Sequence, residues 1–476
     1  MLFNSFHFLF FFLLVTTTYF MLPHRWRWLL LLLSSCYFYM AFVPIYILIL
    51  GFTIVVDYFA GILIENAQGK KRKSYLIISL VANIGVLCIF KYYNFLNDNF
   101  GFLMKGFGLE NPIPYLKILL PIGLSFHTFQ AMSYTIEVYR GKQAAEKHFG
   151  IYALYVMFYP QLVAGPIERP QNLLQQFRTE HHFDSNRIYE GLKLMLWGFF
   201  KKIVIADRLA LYVNAAYDNV NHTDGWSLLL ATIFFSFQIY CDFSAYSDIA
   251  IGTARVMGFD LMRNFNRPNL SRTTAEYWKR WHISLSTWFK DYLFFPMGGS
   301  KVSTLRRYYN LMVVFFISGL WHGASWTYVI WGCINGFYLV FALVTQKQRT
   351  RFNEWIGITK FKTTHLVISI TTTFLLVTFS RVFFRSNTIH DAFTVVKKMF
   401  TFTGSIFSQG TSILVYSFFA LGILIAQEIK AEFFADKFSL SQHQNFWIRN
   451  GYYALLIMMI LVLGVYDGGQ FIYFQF

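Results

Sequence analysis

The chain has 476 residues, of which 56% are hydrophobic and only 14% are charged. Soluble domains carry about 25% charged residues, so this composition excludes an ordinary soluble protein and indicates an integral membrane protein. In a soluble chain the net charge of +17 would suggest nucleic-acid binding. Here the basic residues fall mostly between apolar runs, so we expect them to set the topology and to meet anionic membrane lipids, with no nucleic-acid partner.

Apolar runs long enough to cross a bilayer recur from end to end, which favours a single polytopic membrane domain over residues 1–476. The runs are continuous rather than alternating, so the predicted fold class is all-α. The first run has neither a basic segment before it nor a small-residue cleavage site, and we interpret it as a retained span. Spans are predicted at about 2–22, 29–43, 45–64, 75–95, 191–215, 226–257, 309–325, 327–345, 364–384, 411–430 and 448–465.

The loops after the first and third predicted spans are basic, with Arg25 and Arg27 in one and Lys70–Lys73 in the other. Two spans separate these loops, so both lie on the same side of the membrane. The positive-inside rule predicts that both face the cytoplasm and that the N-terminus faces outward. The stretch 97–116 is then an external loop. Prolines and glycines interrupt the apolar region 117–170, where we expect short or re-entrant segments because broken backbone at membrane depth must be covered.

Several polar or reactive residues in the apolar runs do not form a catalytic pattern. Asp242 and Asp248 are six residues apart, about 120° around a helix, so each is expected to tie its span to neighbours by hydrogen bonds. The cysteines have neither metal-ligand spacing nor a plausible disulfide pattern. We predict no metal site and no tightly bound cofactor. The four cysteines are Cys36, Cys88, Cys241 and Cys333.

The first candidate site is His322, within the apolar run 311–344. At 1.5 Å per residue it lies about 16 Å from the start of the run, near the middle of a bilayer core about 30 Å thick. An ionisable side chain at that depth is by default a functional hypothesis. Small residues around it allow backbones to approach closely, and Trp321 can wall a cavity. The alternative is a histidine that only hydrogen-bonds a neighbouring helix.

The second candidate site lies in 276–291, where aromatic residues recur at spacings of three and four and predict one amphipathic helix. His282 would lie on its apolar face and could line one reaction chamber with His322. Lys279 and Arg280 could hold a phosphate-bearing donor at the cytoplasmic mouth. The alternative is an interfacial helix anchored by tryptophans. The apolar face comprises Trp278, Trp281, His282, Leu285 and Phe289.

At these residues the chain resembles the membrane-bound O-acyltransferase family, in particular the bacterial branch that includes alginate O-acetyltransferase membrane subunits. The second and third of four stretches carry most of the specificity. The four are Gln161-Leu-Val-Ala-Gly-Pro-Ile167, Arg263-Asn-Phe-Asn-Arg-Pro268, Tyr277-Trp-Lys-Arg-Trp-His-Ile-Ser-Leu-Ser286 and Gly319-Leu-Trp-His-Gly323.

The resemblance implies that His322 is the catalytic histidine and that His282 occupies the second polar position of the active site. It implies a ring of about eleven transmembrane helices with re-entrant or interfacial helices around a central tunnel. It also implies a multi-pass protein of the bacterial cytoplasmic membrane that passes an acyl group outward to a polysaccharide. An extracytoplasmic acetyltransferase of the SGNH type often completes the transfer in that branch.

The expected reaction is transfer of an acyl group, most simply acetyl from acetyl-CoA, from a thioester to a hydroxyl. A neutral histidine can take the hydroxyl proton, and burial keeps histidine neutral. His282 could position the thioester or polarise its carbonyl. Trp278, Trp281 and Trp321 would contact the substrate and exclude water.

Three alternatives remain at this stage. D-Alanyl transfer to teichoic acid is the nearest rival among the enzymes. A transporter or flippase would show inverted repeats, which we do not find, and a scaffold of a polysaccharide export system would not need either histidine. None of the twelve histidines begins the H-x-x-x-x-D pattern of soluble acyltransferases. A Walker A loop and a His-Glu-x-x-His zinc motif are also missing from the sequence.

Overall fold

The computed structural model describes residues 1–117, 120–406, 410–434, 443–466 and 471–472. Within these ranges the regular secondary structure is helical, which confirms the all-α prediction. The helices are α1 Phe6–Met21, α2 His24–Met40, α3 Ile47–Asn66, α4 Gly69–Leu87, α5 Tyr93–Gly106, α6 Leu124–Tyr139, α7 Phe149–Met157, α8 Pro170–Arg178, α9 Ser185–Phe199, α10 Asp207–Tyr217, α11 Gly225–Met257, α12 Thr274–Arg280, α13 Ile283–Phe289, α14 Thr304–His322, α15 Trp326–Val344, α16 Gln346–Trp355, α17 Lys362–Arg385, α18 Ile389–Met399, α19 Thr411–Phe433 and α20 Phe446–Leu463.

The protein is a polytopic membrane protein. Within the described ranges, seven helical runs are long and apolar enough to cross a bilayer, and the shorter apolar helix α1 precedes them. Each of the seven overlaps a predicted span, while the total of about eleven stays a prediction. The seven runs are Pro44–Asn66, Gly69–Gly106, Gly225–Met257, Trp326–Val344, Lys362–Arg385, Thr411–Phe433 and Phe446–Leu463.

The predicted external loop 97–116 is wrong in its first half, because the preceding helix continues to Gly106. The π-helical turn Cys88–Tyr92 joins α4 to α5 without ending the helical run. Two asparagines of α5 bond the chain that returns after the helix. Asn94 Nδ2 donates to the carbonyl of Leu116 at 2.9 Å, and Asn97 Nδ2 donates to the carbonyl of Ile113 at 3.1 Å.

The single amphipathic helix predicted over 276–291 is also wrong. The chain breaks at His282, whose φ of 44° is left-handed, so α12 and α13 are separate helices. Non-glycine residues rarely adopt this conformation, which persists where neighbouring structure imposes it. Here the backbone N–H of Ile283 donates to the Asn264 carbonyl at 2.9 Å, and that of Asn266 donates to the Arg280 carbonyl at 2.9 Å.

Contacts divide the chain into two compact units, and the single domain predicted from sequence stays a prediction. The first unit comprises the described residues of Met1–Met195 and Tyr246–Met262, and the second those of Leu196–Ala245 and Arg263–Ile472. The second unit contains every residue of the two candidate sites.

Small residues bring α14 and α15 close together in the second unit. A Cβ atom on Gly319 would lie 2.4 Å from the Tyr328 carbonyl oxygen, and one on Gly332 would lie 2.3 Å from the Phe315 carbonyl oxygen. Real Cβ atoms do not approach so closely, so this helical hairpin requires glycine at both positions. The tight packing confirms the expected role of the small residues and fixes the end of α14, where His322 lies.

A buried ionic cluster confirms the structural role predicted for Asp242. The ammonium of Lys202 donates to Asp207 Oδ1 and to Asp242 Oδ1, each at 2.7 Å. The backbone N–H of Ile472 donates to Asp242 Oδ2 at 2.7 Å. Asp242 therefore ties α11 to the π-helical segment Phe200–Ala206 and to the end of the chain. The four cysteines are free thiols.

Candidate active site

His322 is the last residue of α14 and is only 3% exposed. Three aromatic rings surround its imidazole. The ring centroids of Trp321 and Trp331 each lie 4.9 Å from that of His322, and the Phe384 centroid lies 5.6 Å away. All three contacts are close to edge-on, with interplanar angles of 69° to 89°. The helix thus ends by presenting its histidine to an aromatic cage.

His282 is 1% exposed and occupies the left-handed turn between α12 and α13. Its ring lies 4.7 Å from that of Phe243 and 6.1 Å from that of Trp321. Trp321 therefore contacts both candidate histidines, although they are 40 residues apart in sequence. His282 lies outside the seven spanning runs, and burial lowers the pKa of its imidazole, which keeps the ring neutral.

Trp278 lies within α12 and Trp281 directly follows it, and the two side chains have different surroundings. Trp278 contacts Phe315 at 5.1 Å and Trp331 at 5.9 Å between ring centroids. Its indole nitrogen is buried and has no hydrogen-bond partner among the described residues. Trp281 is 3% exposed and stacks on Tyr277, with 5.6 Å between centroids and 18° between planes.

The two basic residues predicted to hold a donor differ in their charge environment. Lys279 is exposed. Arg280 is half-buried, and its guanidinium pairs with Glu276 at 2.6 Å and with Glu432 at 2.8 Å. Glu432 also pairs with Arg267 at 2.6 Å. The positive charge of Arg280 is therefore already compensated, and Lys279 is the better placed of the two for an anionic donor.

Sequence reasoning missed the residues that hold the His282 turn in place. The side-chain oxygen of Asn264 accepts from the backbone N–H of Ser284 at 3.2 Å and from its hydroxyl at 3.0 Å. These bonds explain why the stretches 263–268 and 277–286 belong together. Asn264 lies in a stretch already singled out for its resemblance, but only the folded chain shows which turn it supports.

The profile of the membrane-bound O-acyltransferase family, MBOAT, matches residues 128–385, more than half of the chain. The chain belongs to this family. The matched region contains both candidate histidines, all three tryptophans and the two basic residues of α12. The enzyme is therefore an O-acyltransferase, and family membership favours an enzyme over the transporter and scaffold alternatives.

Three relatives illustrate where the chain lies within the family. A probable alginate O-acetylase of Pseudomonas aeruginosa is 38% identical over 407 residues, which cover 84% of this chain and 75% of that protein. A peptidoglycan O-acetyltransferase of Helicobacter pylori is 32% identical, with coverage of 80% and 74%. A teichoic acid D-alanyltransferase of Bacillus subtilis is 26% identical, with coverage of 59% and 73%.

The arrangement suits acyl transfer to a hydroxyl. A neutral imidazole can accept a proton from a hydroxyl, and aromatic walls exclude competing water. Within the described ranges, no group of three or more histidine, cysteine, aspartate or glutamate side chains is placed to bind a metal ion. An apolar groove between α19 and α20 contains none of the predicted site residues.

Proposed function

We propose that this membrane-bound O-acyltransferase takes acetyl groups from cytoplasmic acetyl-CoA and passes them across the membrane for O-acetylation of an extracytoplasmic polysaccharide. The relatives favour this acyl group, because the relatives at 38% and 32% identity are named a probable alginate O-acetylase and a peptidoglycan O-acetyltransferase. Alginate is the acceptor we propose. D-Alanyl transfer to teichoic acid is the second candidate, supported by the relative at 26% identity.

In the proposed mechanism, the acceptor hydroxyl attacks the thioester carbonyl carbon while the neutral imidazole of His322 takes its proton. The tetrahedral intermediate collapses, the carbon–sulfur bond breaks, and CoA leaves as a thiolate that receives the proton from the imidazolium. His282 positions the thioester or polarises its carbonyl. Direct attack is the simplest course because neither a Ser-His-Asp arrangement nor a nucleophilic cysteine is evident in the sequence.

One observation carries this proposal above the others: Trp321 contacts both His282 and His322 inside a set of buried aromatic rings. Two histidines brought to one tryptophan from separate elements suit a shared reaction chamber better than two unrelated structural contacts. Trp278 and Trp281 complete the wall in this mechanism, and Lys279 and Arg280 lie beside it at the proposed donor entrance.

We further propose that the enzyme lies in the bacterial cytoplasmic membrane and works with an extracytoplasmic SGNH-type acetyltransferase. Lys70–Lys73 would face the cytoplasm, as the positive-inside rule requires. Single cysteines placed at Lys71 and at Glu110 in a cysteine-free chain test the orientation by labelling in intact cells. An impermeant thiol reagent should label only the second, and labelling at position 71 from outside would reverse the topology.

The decisive experiment compares three histidine variants in the producing strain. His322→Ala should lower the acetyl content of the secreted polymer, divided by the amount of enzyme in the membrane, by about 10²–10⁴-fold, because a general base is lost. His282→Ala should cost less, since neighbouring donors share its role. The matched control is His390→Ala, at an exposed position of α18, which should acetylate normally.

The amount of folded enzyme is measured by size-exclusion chromatography of detergent extracts, so that misfolding is separated from lost chemistry. Normal acetylation in the His322→Ala strain would refute the catalytic assignment. A secreted or wall polymer that loses D-alanyl rather than acetyl esters in that strain would replace the acetyl proposal with the second candidate.

A further inference from the structure

A buried arginine in α17 lies against the candidate site. Arg381 is only 3% exposed, although it lies within the spanning run Lys362–Arg385. Its guanidinium carbon lies 4.9 Å from the ring centroid of Trp281, the residue before His282. An arginine cannot lose its charge in a protein, so a full positive charge is held behind the wall of the site.

Within the described ranges, every partner of Arg381 is electrically neutral. Its Nη1 donates to the Ser236 carbonyl at 3.0 Å, and its Nη2 donates to the Tyr277 hydroxyl at 2.6 Å. The faces of Tyr277 and Trp281 provide the remaining contacts. Among the described residues no carboxylate is paired with it. Burying an unpaired charge is costly, which is why intramembrane ionisable residues mark functional positions.

The hydroxyl of Tyr277 is the most informative of these partners. It accepts a bond from Arg381, and that bond uses one of its lone pairs while leaving its own hydrogen to be donated. Tyr277 is 3% exposed, and within the described part of the chain no group accepts that hydrogen. A phenol that receives a bond from a guanidinium is a stronger donor to a third group, because linked hydrogen bonds polarise one another.

The position of Tyr277 links this donor to the proposed chemistry. It stacks on Trp281 and is followed by Trp278, whose buried indole nitrogen also has no partner among the described residues. Trp278 leads through Trp331 to the ring of His322. The two buried donors therefore belong to a continuous series of ring contacts that runs from Trp281, beside His282, to His322.

We infer that the Tyr277 hydroxyl donates a hydrogen bond to the thioester carbonyl oxygen during acyl transfer, and that Arg381 is the positioning residue that holds and polarises this hydroxyl. The inference rests on the proposed function. As the acceptor oxygen attacks, the carbonyl oxygen gains negative charge, and a preorganised donor in a water-excluded site stabilises that charge. No proton leaves Tyr277. The charge returns to the carbonyl bond when the sulfur departs.

The test uses the full chain in inverted membrane vesicles from the producing strain, which retain the native partners. Acetyl-CoA is added over a concentration series, and released CoA is titrated with a thiol reagent to give kcat and KM. The variants are Tyr277→Phe, Arg381→Met, their combination and Arg381→Lys. Vesicles without the enzyme supply the background rate, and each rate is divided by the amount of folded enzyme.

The chain offers a matched control pair four residues further along α17. Arg385 lies over the ring of Tyr217 at 5.4 Å, but it pairs with Asp218 at 3.2 Å, and the Tyr217 hydroxyl is bonded to Thr232 at 2.8 Å. Arg385→Met and Tyr217→Phe thus remove the same groups from a second arginine–tyrosine contact. Both should keep kcat within about twofold of the wild type, because neither group belongs to the proposed site.

Tyr277→Phe and Arg381→Met should each lower kcat about 10–100-fold, with KM for acetyl-CoA nearly unchanged, because the lost bond forms in the transition state. The double variant should be no slower than the slower single variant, since the two groups act as one unit. Arg381→Lys should recover part of the rate. Three outcomes would overturn the inference. They are a fold-loss of kcat in the double variant equal to the product of the two single losses, a wild-type kcat in either single variant, or an equal loss of kcat in the control pair.

Including His322→Ala in the same series separates this inference from the proposed function. Release of CoA at the wild-type rate by His322→Ala would reject the proposed mechanism itself. Loss of release in His322→Ala together with full activity in Tyr277→Phe would reject only the role given to Tyr277 and Arg381.

Discussion

Two buried polar clusters differ in what surrounds them. In the first unit, Asp57 of α3 accepts from the Ser79 hydroxyl at 2.6 Å and from the Asn83 amide at 2.8 Å and 3.0 Å. The Ser79 hydroxyl also lies 3.0 Å from that of Thr135 in α6. In the second unit, aromatic rings enclose His322 on three sides.

The comparison shows how an intramembrane polar residue can be assigned a role. Both Asp57 and His322 would count as functional hypotheses on depth alone. Small polar side chains of α4, however, donate to both carboxylate oxygens of Asp57, so these hydrogen bonds hold α3 and α4 together. Rings around an imidazole contribute packing and a dry environment instead, which suits the proposed transfer of a proton from the substrate hydroxyl to His322.

The largest effect on stability should follow from removing the carboxylate of the first cluster. Asp57→Ala removes three hydrogen bonds from the cluster. The Ser79 hydroxyl keeps its bond to Thr135, and the Asn83 amide still donates to the Ser79 carbonyl at 3.0 Å. Each lost hydrogen bond costs about 0.5–1.5 kcal/mol net, so folding should weaken by roughly 3 kcal/mol. The measurement is the thermal midpoint of aggregation of the detergent-solubilised enzyme. Acetyl transfer per folded molecule should stay near the wild-type value.

Asp57→Asn serves as the control, because an amide of the same shape keeps one acceptor oxygen and should restore much of the lost stability. An Asp57→Ala enzyme that is fully folded but inactive would break the comparison. It would show that the first cluster takes part in the reaction and is not only a tie between helices.

The parts of the fold that depend on composition and local pattern were predictable from sequence. Helical class follows from long apolar runs, and the span at 226–257 was placed within one residue of α11 at its N-terminal end. The helix break at His282 was not predictable, because a spacing of three and four continues across it. Pairing with the distant segment at Asn264 imposes the break, and no local signal reports that pairing.

The same limit applies to the candidate site. The histidines were identifiable because their flanking stretches resemble a family, but their shared contact with Trp321 is tertiary. Arg381 was overlooked although it interrupts an apolar run, which is itself a signal of function. Conversely, charge alone predicts that Arg280 is available for a phosphate, and only the structure shows that Glu276 and Glu432 compensate its charge.

The smallest expected effect tests whether the aromatic wall of the second cluster acts through hydrogen bonding as well as packing. Trp278→Phe keeps a ring against Phe315 and Trp331 but removes the buried indole N–H. If that N–H donates to the bound substrate, losing it should lower kcat about fivefold, equivalent to roughly 1 kcal/mol. The measurement is CoA release in inverted vesicles, with the exposed Trp355→Phe as the matched control.

Thermal stability decides what a change in rate means for Trp278→Phe. A phenyl ring is smaller than an indole, so some loss of packing will lower the midpoint of unfolding slightly. Replacement by histidine at the same position restores a ring N–H donor within a five-membered ring and should recover rate without recovering stability. A variant series in which rate follows stability would mean that the wall acts by packing alone. The second cluster would then resemble the first more closely than its aromatic surroundings suggest, and the histidines would carry the chemistry without help from the indole.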